Sequence, residues 1–529
     1  MARKMMSLIM AVCLTFGVMV PAAFADETKT FIVAMTEDPK SFNPDAQADD
    51  AGWPVFQNLY DGLFQLNWNN EIVPDLCETY TISDDGLTYT FNLRKGVKWH
   101  DGEAFSSADV EFTYQMIMEN SGIISQELNN SVAEMSCPDD DTFVMTLDRT
   151  EALRNGEPFQ MDVAPYAPIL GTLAGYANFI LPKHLYEGVE DWKACEAATT
   201  HPVGTGAYKF VSYDRGVSIV LEKNPDYHLG APQVDRLIFQ VIPDSDTAMQ
   251  AFFNGEIDML KPVPNSQVPA LLQNPEYKLG YSSAARRYQI AMNMESEKMT
   301  LAVRQAVALS IDREEISRKA TNGLMPPAYG FYPPYCDWAY NADADIGERD
   351  VAKARQILED AGFTADENGN YIELEMLVLS SGSYADCGKV MQSNLKEAGI
   401  NMKLTVLESA AWHERVTSGD FDMAMLNGYQ GPDPDAMSKR IGTGGAANYS
   451  HFSNAEVDEL LAKARSLTDN EARGACYRRI QEIEAEELPI IPVVEMTTYY
   501  ICRSNVSGIP YIDHISDVSD NSYARVTID

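Results

Sequence analysis

The sequence predicts an α/β protein of several domains, in which a β-rich segment is followed by regions of alternating strands and helices. The 529 residues exceed what one hydrophobic core accommodates. Residues 65–200 combine period-two alternation with Asp-Gly turn signals, a pattern typical of antiparallel hairpins. From Gly204 onward, short apolar strands alternate with amphipathic helices, which indicates open α/β sheets.

The first expected elements are a strand and a set of hairpins. Residues 28–34 form the strand, and a loop rich in Pro, Asn and Asp follows it up to Gly52. In the β-rich segment, residues 89–93 alternate between apolar and polar side chains, and Asp-Gly pairs stand on either side of them at residues 85–86 and 101–102. Such pairs favour tight hairpin turns, so we expect antiparallel strands here.

The later expected elements are helices with clear boundaries, separated by short strands. Ala248 and Phe252 lie on the apolar face of a helix that ends at Gly255. In the second half, Asp350 is placed to cap a helix for which Gly362 supplies the stop. No repeat of fixed period and no low-complexity linker occurs, so we expect the domains to be joined by short crossovers.

The N-terminus has the three parts of an export signal. Arg3 and Lys4 precede an apolar run at residues 5–20, and Ala23 and Ala25 occupy the small-residue positions of a cleavage site. The run is shorter than the roughly twenty residues of a membrane-spanning helix. We expect cleavage after Ala25, no lipid anchor, and a mature protein located in the periplasm.

Charge and motif content exclude several classes of function. The formal net charge of −38 repels nucleic acid, so no nucleic-acid partner is expected. The cysteines form no Cys-x-x-Cys pair, and the two histidines nearest in sequence, His184 and His201, are too far apart to bind one metal from a single helix turn. Residues 204–206 lack the third glycine and the lysine of a phosphate loop, so they predict a tight turn. The sequence predicts no cofactor, no metal and no enzymatic activity.

Several blocks of residues resemble one known family. The first contains Leu59-Tyr60-Asp61-Gly62-Leu63, the segment 85–102 and Ala108-Asp109-Val110. Later blocks with the same likeness lie at residues 202–208, 224–227, 255–258, 303–313 and 419–422. Together they resemble the bacterial extracellular solute-binding proteins of ABC importers, the family that includes the periplasmic dipeptide- and oligopeptide-binding proteins.

The resemblance implies a class II periplasmic-binding-protein fold, with two α/β lobes joined by a hinge and an additional β-rich domain. By this likeness, residues 26–64, 202–284 and 497–529 form lobe I, residues 65–201 form the additional domain, and residues 285–496 form lobe II. The two lobes are expected to close around a ligand and to open again.

The resemblance also implies a function and its partners. A monomer would capture short peptides or similar small solutes and deliver them to an ABC permease in the membrane. The same fold could instead bind an oligosaccharide, a metal chelate, an opine or a betaine-like cation, or serve a chemoreceptor. An exported hydrolase is the alternative from another class, and a nucleophile beside a base would be expected for it.

The expected charge anchors for a peptide depart from the family pattern. Peptide binders hold the ligand amine with a carboxylate after a glycine-aromatic pair, which corresponds here to residues 427–435. Pro432 stands where the aspartate is expected, and Asp433 is either its substitute or a turn residue. Dipeptide binders place an arginine for the ligand carboxylate near residues 380–386, and none occurs there.

The candidate ligand contacts come from several segments. Arg286 and Arg287 precede the strand that enters the second lobe and can grip a carboxylate through paired hydrogen bonds, although a surface pair of arginines is equally consistent. Asp49 and Asp50 face the cleft in relatives and can meet a cation, while solvated loop acids explain them as well. The remaining candidates, with core packing as the alternative for the aromatic rings, are Trp53, Trp412, Tyr429 and Gln430.

Overall fold

The described part of the chain covers almost all of its length. A computed structural model describes residues 28–46, 51–122, 124–147, 151–154, 157–160, 165–174, 178–282, 286–333, 335–519 and 522–529. For residues 151–154 and 157–160 and for Tyr429 the backbone alone is described. The expected export signal and the candidate residues Asp49 and Asp50 lie outside the described residues.

Strands and helices occur throughout the described chain. The strands are, in chain order, β1 (Thr30–Met35), β2 (Phe64–Leu66), β3 (Ile72–Pro74), β4 (Cys77–Ile82), β5 (Thr88–Leu93), β6 (Glu134–Asp139), β7 (Thr142–Thr146), β8 (Glu151–Arg154), β9 (Glu157–Gln160), β10 (Tyr208–Asp214), β11 (Ser218–Lys223), β12 (Arg236–Val241), β13 (Met259–Leu260), β14 (Tyr277–Ser282), β15 (Arg286–Met292), β16 (Ile372–Leu379), β17 (Ile400–Leu407), β18 (Met423–Tyr429), β19 (Ile490–Glu495), β20 (Thr498–Arg503), β21 (Val506–Ser507) and β22 (Thr527–Ile528). The helices are α1 (Trp53–Leu59), α2 (Ser107–Glu119), α3 (Ser125–Ser131), α4 (Ile169–Ala174), α5 (Lys183–Tyr186), α6 (Glu196–Thr199), α7 (Ser245–Asn254), α8 (Val268–Leu271), α9 (Leu301–Ser310), α10 (Arg313–Ala320), α11 (Val351–Asp360), α12 (Tyr384–Glu397), α13 (Ser409–Thr417), α14 (Ser438–Ile441), α15 (Ala455–Ser466), α16 (Asn470–Glu487) and α17 (Pro510–Asp513), with a 3₁₀ turn at Pro434–Met437.

The largest sheet has seven strands in the order β10-β11-β12-β1-β13-β20-β14. Its centre is parallel, since β1 runs parallel to β12, with Val33 opposite Phe239, and parallel to β13. The outer pairs are antiparallel. Ligands of open α/β sheets bind beyond the carboxyl ends of parallel strands, so the edge after Met35 is where a site is expected.

The second large sheet has five strands in the order β17-β16-β18-β15-β19. Here β16 runs parallel to β17 and β18, while β15 is antiparallel to both of its neighbours. Side chains alternate between the faces of a strand. Tyr288 and Ile290 therefore enter the main hydrophobic core on one face, and Arg287 and Gln289 point to the other.

The β-rich segment contains the antiparallel sheet β4-β5-β7-β6. The predicted alternation is confirmed in β5, where Tyr89, Phe91 and Leu93 are buried and the residues between them are more exposed. Helix α2 packs on this sheet, with the ring of Tyr114 centred 6.0 Å from that of Phe143. The segment thus has a hydrophobic core of its own.

Two helix boundaries predicted in the α/β regions are confirmed. Gly255 ends α7 with φ of +84°, a conformation that glycine adopts without steric cost. The Asp350 carboxylate accepts a hydrogen bond from Lys353 N at 2.9 Å and caps α11. These caps set where each helix starts or stops relative to the neighbouring strands.

The turn at residues 204–206 packs tightly against the backbone of Leu59. Gly206 N donates a hydrogen bond to the Leu59 carbonyl at 3.0 Å, and a Cβ added to Gly204 would lie 1.9 Å from the same oxygen. We expect Gly204→Ala to lower the free energy of unfolding by about 3 kcal/mol, because the obstacle is backbone and cannot rotate away. Equilibrium denaturation of the purified variant measures this loss.

Gly171→Ala is the matched control for this prediction. Its added Cβ would lie 3.4 Å from the nearest atom, an ordinary contact, and the residue is inside helix α4 where alanine is favoured. We expect this change to leave the free energy of unfolding within about 1 kcal/mol of the wild-type value. A loss for Gly204→Ala no larger than that of the control would contradict the close-packing interpretation.

The cysteines carry no cross-links in the described residues. All seven there have free thiols, at positions Cys77, Cys137, Cys195, Cys336, Cys387, Cys476 and Cys502. Most of them are buried, so they act as small apolar side chains in the core.

In the described ranges, no helix has both the length and the apolar character that a bilayer crossing requires.

Candidate functional site

A cleft of about 380 Å³ opens at the carboxyl end of β1. Residues 33–37 line it, and the two passages of the chain between the large sheets border it through Ser282, Arg286, Met496 and Thr498. This volume lies within the range of small-molecule sites. Because both connections between the sheets border the cleft, a rotation of one sheet relative to the other would change its width.

Aromatic side chains form two walls of this cleft. Trp53 begins α1, followed by Pro54 in the first turn of the helix, and its ring centre lies 5.4 Å from that of Phe179. Tyr500 and Tyr511 stack with ring centres 4.5 Å apart. Rings held in this way offer rigid apolar surface to a ligand with little loss of side-chain entropy.

Lys261 also lines the cleft, and the sequence analysis missed it. It follows β13 directly, and its ammonium nitrogen lies 5.1 Å from the centre of the Tyr500 ring. A cation over an aromatic face is attracted by the ring. The signal that could have identified Lys261 is its position, since the first residue after a parallel strand lies at the ligand-binding edge of the sheet.

Two of the predicted ligand contacts, Trp53 and Arg286, line the same cleft. Arg286 opens β15, and its backbone stands opposite that of Tyr429 in β18. Arg286 is thus the first residue of the five-stranded sheet after the chain leaves β14. Contact of these two side chains with a ligand stays a prediction.

Arg287, in contrast, lies inside the protein, with 1% of its surface exposed. Its Nη1 donates a hydrogen bond to the Gly330 carbonyl, and its Nη2 lies 3.6 Å from Glu495 Oε1. The alternation of β15 separates it from Arg286, because adjacent side chains of a strand point to opposite faces. The two arginines therefore do not form one clamp at the cleft surface.

The candidates Trp412 and Gln430 do not line the cleft. Trp412 is 2% exposed and packs in an apolar cluster with Val416 and Phe421, which is the core-packing alternative. Gln430 is fully buried, and its Nε2 donates to the Gly428 carbonyl at 2.8 Å. The side chain of Tyr429 lies outside the described residues.

A second cavity, of about 260 Å³, lies between the β-rich segment and the loop that follows β18. Tyr166 and Gly171 line it from the β-rich segment, and Pro432, Asp433 and Arg440 line it from the other side. This cavity contains the loop in which peptide binders of the resembled family place their amine-binding carboxylate.

Asp433 already has a partner inside the protein. Its Oδ1 lies 2.9 Å from Nη2 of Arg473, and both side chains are largely buried. Burial raises the pKa of Asp433, and the guanidinium of Arg473 opposes that rise. Asp435 in the same loop pairs with Arg465 at 2.8 Å. Both acids of the loop are therefore engaged in structural ion pairs.

The walls of the second cavity are joined by direct contacts. Lys439 Nζ lies 2.7 Å from Glu127 Oε1, and Ala167 N donates a hydrogen bond to the Arg465 carbonyl at 2.8 Å. These contacts connect the β-rich segment to the helical layer of the five-stranded sheet. In this conformation the two parts enclose the cavity from opposite sides.

In the described residues, Asp61, Asp75 and His228 are the one group whose side chains are close enough to share a metal ion. His228 Nδ1 lies 3.7 Å from Asp61 Oδ2, and His228 Nε2 lies 3.0 Å from Asp75 Oδ1. Each ring nitrogen thus already faces a carboxylate. A protonated imidazole between two acids accounts for this arrangement, because both of its ring nitrogens then carry a proton and face a carboxylate.

Comparison with known proteins covers nearly the whole chain. The family model described as Bacterial extracellular solute-binding proteins, family 5 Middle, matches residues 71–449. Di/tripeptide-binding protein 2 of Pseudomonas aeruginosa strain UCBPP-PA14 is 25% identical over 539 residues, covering 96% of this chain and 96% of the relative. Heme-binding protein A of Haemophilus influenzae is 26% identical over 516 residues, covering 92% and 90%.

A solved structure shows the same architecture. The ABC transporter substrate binding protein CtaP from Listeria monocytogenes matches with a TM-score of 0.83 and 25% identity, covering 95% of this chain and 99% of that one. This likeness confirms the predicted class II periplasmic-binding-protein fold. The family model spans well over half of the residues. The chain therefore belongs to the bacterial extracellular solute-binding proteins of family 5.

Proposed function

We propose that this protein captures short peptides or solutes of similar size in the cleft at the end of β1 and delivers them to an ABC permease. The observation that carries the proposal is the position of the cleft, which both passages between the two large sheets border. The likeness to a di/tripeptide-binding protein over nearly the whole chain supports the peptide class.

We further propose that the protein works by hinge closure. Residues 26–64, 202–284 and 497–529 form lobe I, residues 65–201 form the additional domain, and residues 285–496 form lobe II. The change from β19 in one large sheet to β20 in the other takes only Met496 and Thr497. A ligand held by both lobes favours the closed state by its difference in affinity for the two states.

The cellular setting completes this proposal. The mature protein begins after Ala25, acts in the periplasm as a monomer, and hands its solute to the permease without changing it chemically. The charged groups that line the cleft, Glu37, Lys261 and Arg286, are suited to holding a charged solute.

A non-peptide solute is the second candidate, and one observation favours it. The Asp433 carboxylate is already paired with Arg473, which disfavours it as the anchor for a peptide amine. The aromatic walls at Trp53 and Tyr500 would suit a planar or apolar solute. The likeness to a heme-binding protein is compatible with this alternative.

Thermal unfolding with a panel of solutes tests the proposed function. The panel contains dialanine, trialanine, glutathione, heme and maltose, each added to the mature protein. A solute that binds only the folded state adds about 2.7 kcal/mol of stability at a hundred times its Kd and raises the Tm. A rise with the peptides supports the first proposal, a rise with heme alone supports the second, and no rise with any solute contradicts both.

Trp53→Ala is expected to weaken binding of the solute that the panel identifies by about tenfold to a hundredfold. The loss of the aromatic wall removes about 1.4 to 2.8 kcal/mol of binding free energy. Isothermal titration calorimetry measures the change in Kd. The control is Phe253→Ala, since Phe253 is an exposed aromatic side chain that does not line the cleft. Equal affinities for both variants would show that Trp53 does not contact the solute.

A further inference from the structure

Three buried side chains near Gly428 hold hydrogen-bond donors without partners. We call Arg287, Gln289 and Arg440 the donor cluster. The unpartnered atoms are Nε and Nη2 of Arg287, Nε2 of Gln289 and Nε of Arg440. A buried donor without an acceptor costs about 1–3 kcal/mol, and more when it is charged. Four such donor atoms lie close together, so an acceptor bound at this place would stabilise the protein.

The donors converge on one side of the five-stranded sheet. Arg287 stands opposite Gly428 in the ladder between β15 and β18, and Gln289 projects from the same face as Arg287. A Cβ added to Gly428 would lie 2.8 Å from Arg440 Nε and 3.1 Å from Gln289 Nε2. The glycine thus leaves the space into which these donors point.

The positive charge of the cluster is not neutralised within it. Burial, and then repulsion from Arg287 and Arg286, lowers the pKa of Arg440 to about 10. The hydrogen bonds described for Arg440 go to the Ala436 carbonyl at 3.4 Å and to the Met437 sulfur at 3.9 Å, both at the limit of such contacts.

The carboxylates near the cluster face Arg287 and not Arg440. Glu495 lies 3.6 Å from Arg287 Nη2 and is partly exposed. Glu484 is buried near Arg287, and burial raises the pKa of its carboxyl group to about 8 against the opposing effect of Arg287. Among the described residues, no carboxylate forms an ion pair with Arg440.

Two arginines that border the same loop differ from Arg440 in this respect. Arg465 and Arg473, which border the same loop, have carboxylate partners at 2.8 and 2.9 Å. The chain carries a net charge of −38, so acidic residues are abundant. Arg304 and Arg313 are also buried without a carboxylate, but each donates a hydrogen bond of 2.9 Å or less to a backbone carbonyl. Arg440 has no such bond among the described contacts, and an oxyanion from outside would supply the missing acceptor.

A ligand can reach the cluster from the second cavity. Arg440 lines that cavity together with Gly431, Pro432 and Ala436, between the β-rich segment and the five-stranded sheet. The walls of the cavity meet at Lys439 and Glu127. A guanidinium there can hold an oxyanion through two parallel hydrogen bonds.

We propose that the donor cluster, through Arg440 in the first place, binds an anionic group of the solute, a carboxylate or a comparable oxyanion. The inference rests on the proposed function, because it assigns one end of the captured solute. The inference predicts that the solute carries at least one anionic group. The protein supplies two guanidinium groups and one amide to bind that group.

The test compares three probes and four forms of the mature protein by isothermal titration calorimetry and thermal unfolding. The probes are trialanine, trialanine amide, which lacks the carboxylate, and sodium sulfate. The forms are wild type, Arg440→Gln, Arg440→Lys and Arg349→Gln. Arg349 is the matched control, because it is a partly buried arginine that pairs with Glu397 at 2.7 Å and does not line either cavity.

We expect wild type and Arg349→Gln to bind trialanine at least tenfold more tightly than its amide. Arg440→Gln should bring the two affinities within twofold, and Arg440→Lys should give an intermediate ratio because it keeps the charge but loses the planar fork. The Tm of ligand-free Arg440→Gln should equal or exceed that of wild type, since the variant removes an uncompensated buried charge. A lower Tm would mark a structural arginine and would overturn the inference.

The other outcomes separate this inference from the proposed function. Equal binding of trialanine and its amide by wild type keeps the peptide function and overturns the anion site. Sulfate that raises the Tm of wild type but not of Arg440→Gln supports the anion site, even where neither peptide binds and the peptide function fails. Absence of any response to all three probes overturns the anion site.

Discussion

Replacing His228 with alanine is expected to lower the free energy of unfolding at pH 6 by about 3–5 kcal/mol, the usual cost of removing one partner from a buried ion pair. His228 is 7% exposed and stands between the buried carboxyl groups of Asp61 and Asp75. Without the imidazole, these two acids face each other with reduced compensation. Denaturant unfolding followed by circular dichroism measures the loss.

His201→Ala is the control for this prediction. The His201 side chain is exposed, and its Nδ1 forms a hydrogen bond with the Thr200 hydroxyl at 2.9 Å, so its removal should change the free energy of unfolding by less than about 0.5 kcal/mol. A loss for His228→Ala as small as that of the control would show that the buried triad does not stabilise the fold.

The contribution of His228 should also depend on pH with a defined sign. Burial lowers the pKa of His228, but Asp61 and Asp75 outweigh burial and the opposing charge of Arg94 and raise it above the ordinary value of 6.5. Burial and then Asp75 raise the pKa of Asp61 to about 7. The folded protein thus binds these protons more tightly than the unfolded chain does.

Stability from the triad is therefore fully present below the ordinary pKa of each group and is lost as the pH rises through the folded values. The free energy of unfolding of wild type should therefore fall as the pH is raised from 6 to 9. A free energy of unfolding that rises over this range would contradict the raised pKa values of His228 and Asp61.

Arg473→Gln is the second change with a large expected effect, a loss of about 3–5 kcal/mol in the free energy of unfolding. Arg473 is 3% exposed, pairs with Asp433 at 2.9 Å, and donates from Nε to the Ala464 carbonyl at 3.0 Å. Its guanidinium also lies 5.0 Å from the ring centre of Trp338. The variant would leave a buried carboxylate without its cation, and thermal or denaturant unfolding reports the loss.

Two further variants define what this loss means. The double variant Asp433→Asn with Arg473→Gln should recover part of the stability, because it removes the stranded charge as well. Arg479→Gln, which breaks exposed ion pairs with Glu456 and Glu482, should cost less than about 1 kcal/mol. If Arg473→Gln costs no more than Arg479→Gln, the pair with Asp433 is not a structural anchor of the loop.

Much of the fold could be predicted because its signals are local. The alternation around Tyr89, the helix stop at Gly255 and the cap at Asp350 each depend on a few neighbouring residues, and the structure shows all three. The family blocks along the chain then identified the fold class, which the comparisons confirm. The division into lobes and an additional domain stays a proposal.

The site could be predicted only in part, because its residues meet through long-range packing. The sequence could not separate Arg286 at the cleft from Arg287 in the interior, since that depends on which face of β15 is covered. Trp412 gave the same aromatic signal as Trp53, but α13 buries it against the sheet. Lys261 was overlooked because no motif surrounds it.

The buried polar groups discussed above could not be predicted from their neighbours in the sequence. Asp61, Asp75 and His228 come from distant positions and meet only after the β-rich segment packs on the seven-stranded sheet. The donor cluster likewise joins β15 to Arg440 in α14 through the space left by Gly428. Pairing of this kind is set by tertiary structure and not by spacing along the chain.

Small-angle X-ray scattering of the mature protein, recorded with and without a saturating concentration of the solute that the thermal panel identifies, tests the central claim most directly. The account predicts a smaller radius of gyration with the solute, because two lobes close around it. A radius of gyration that stays the same at saturation would contradict capture by hinge closure.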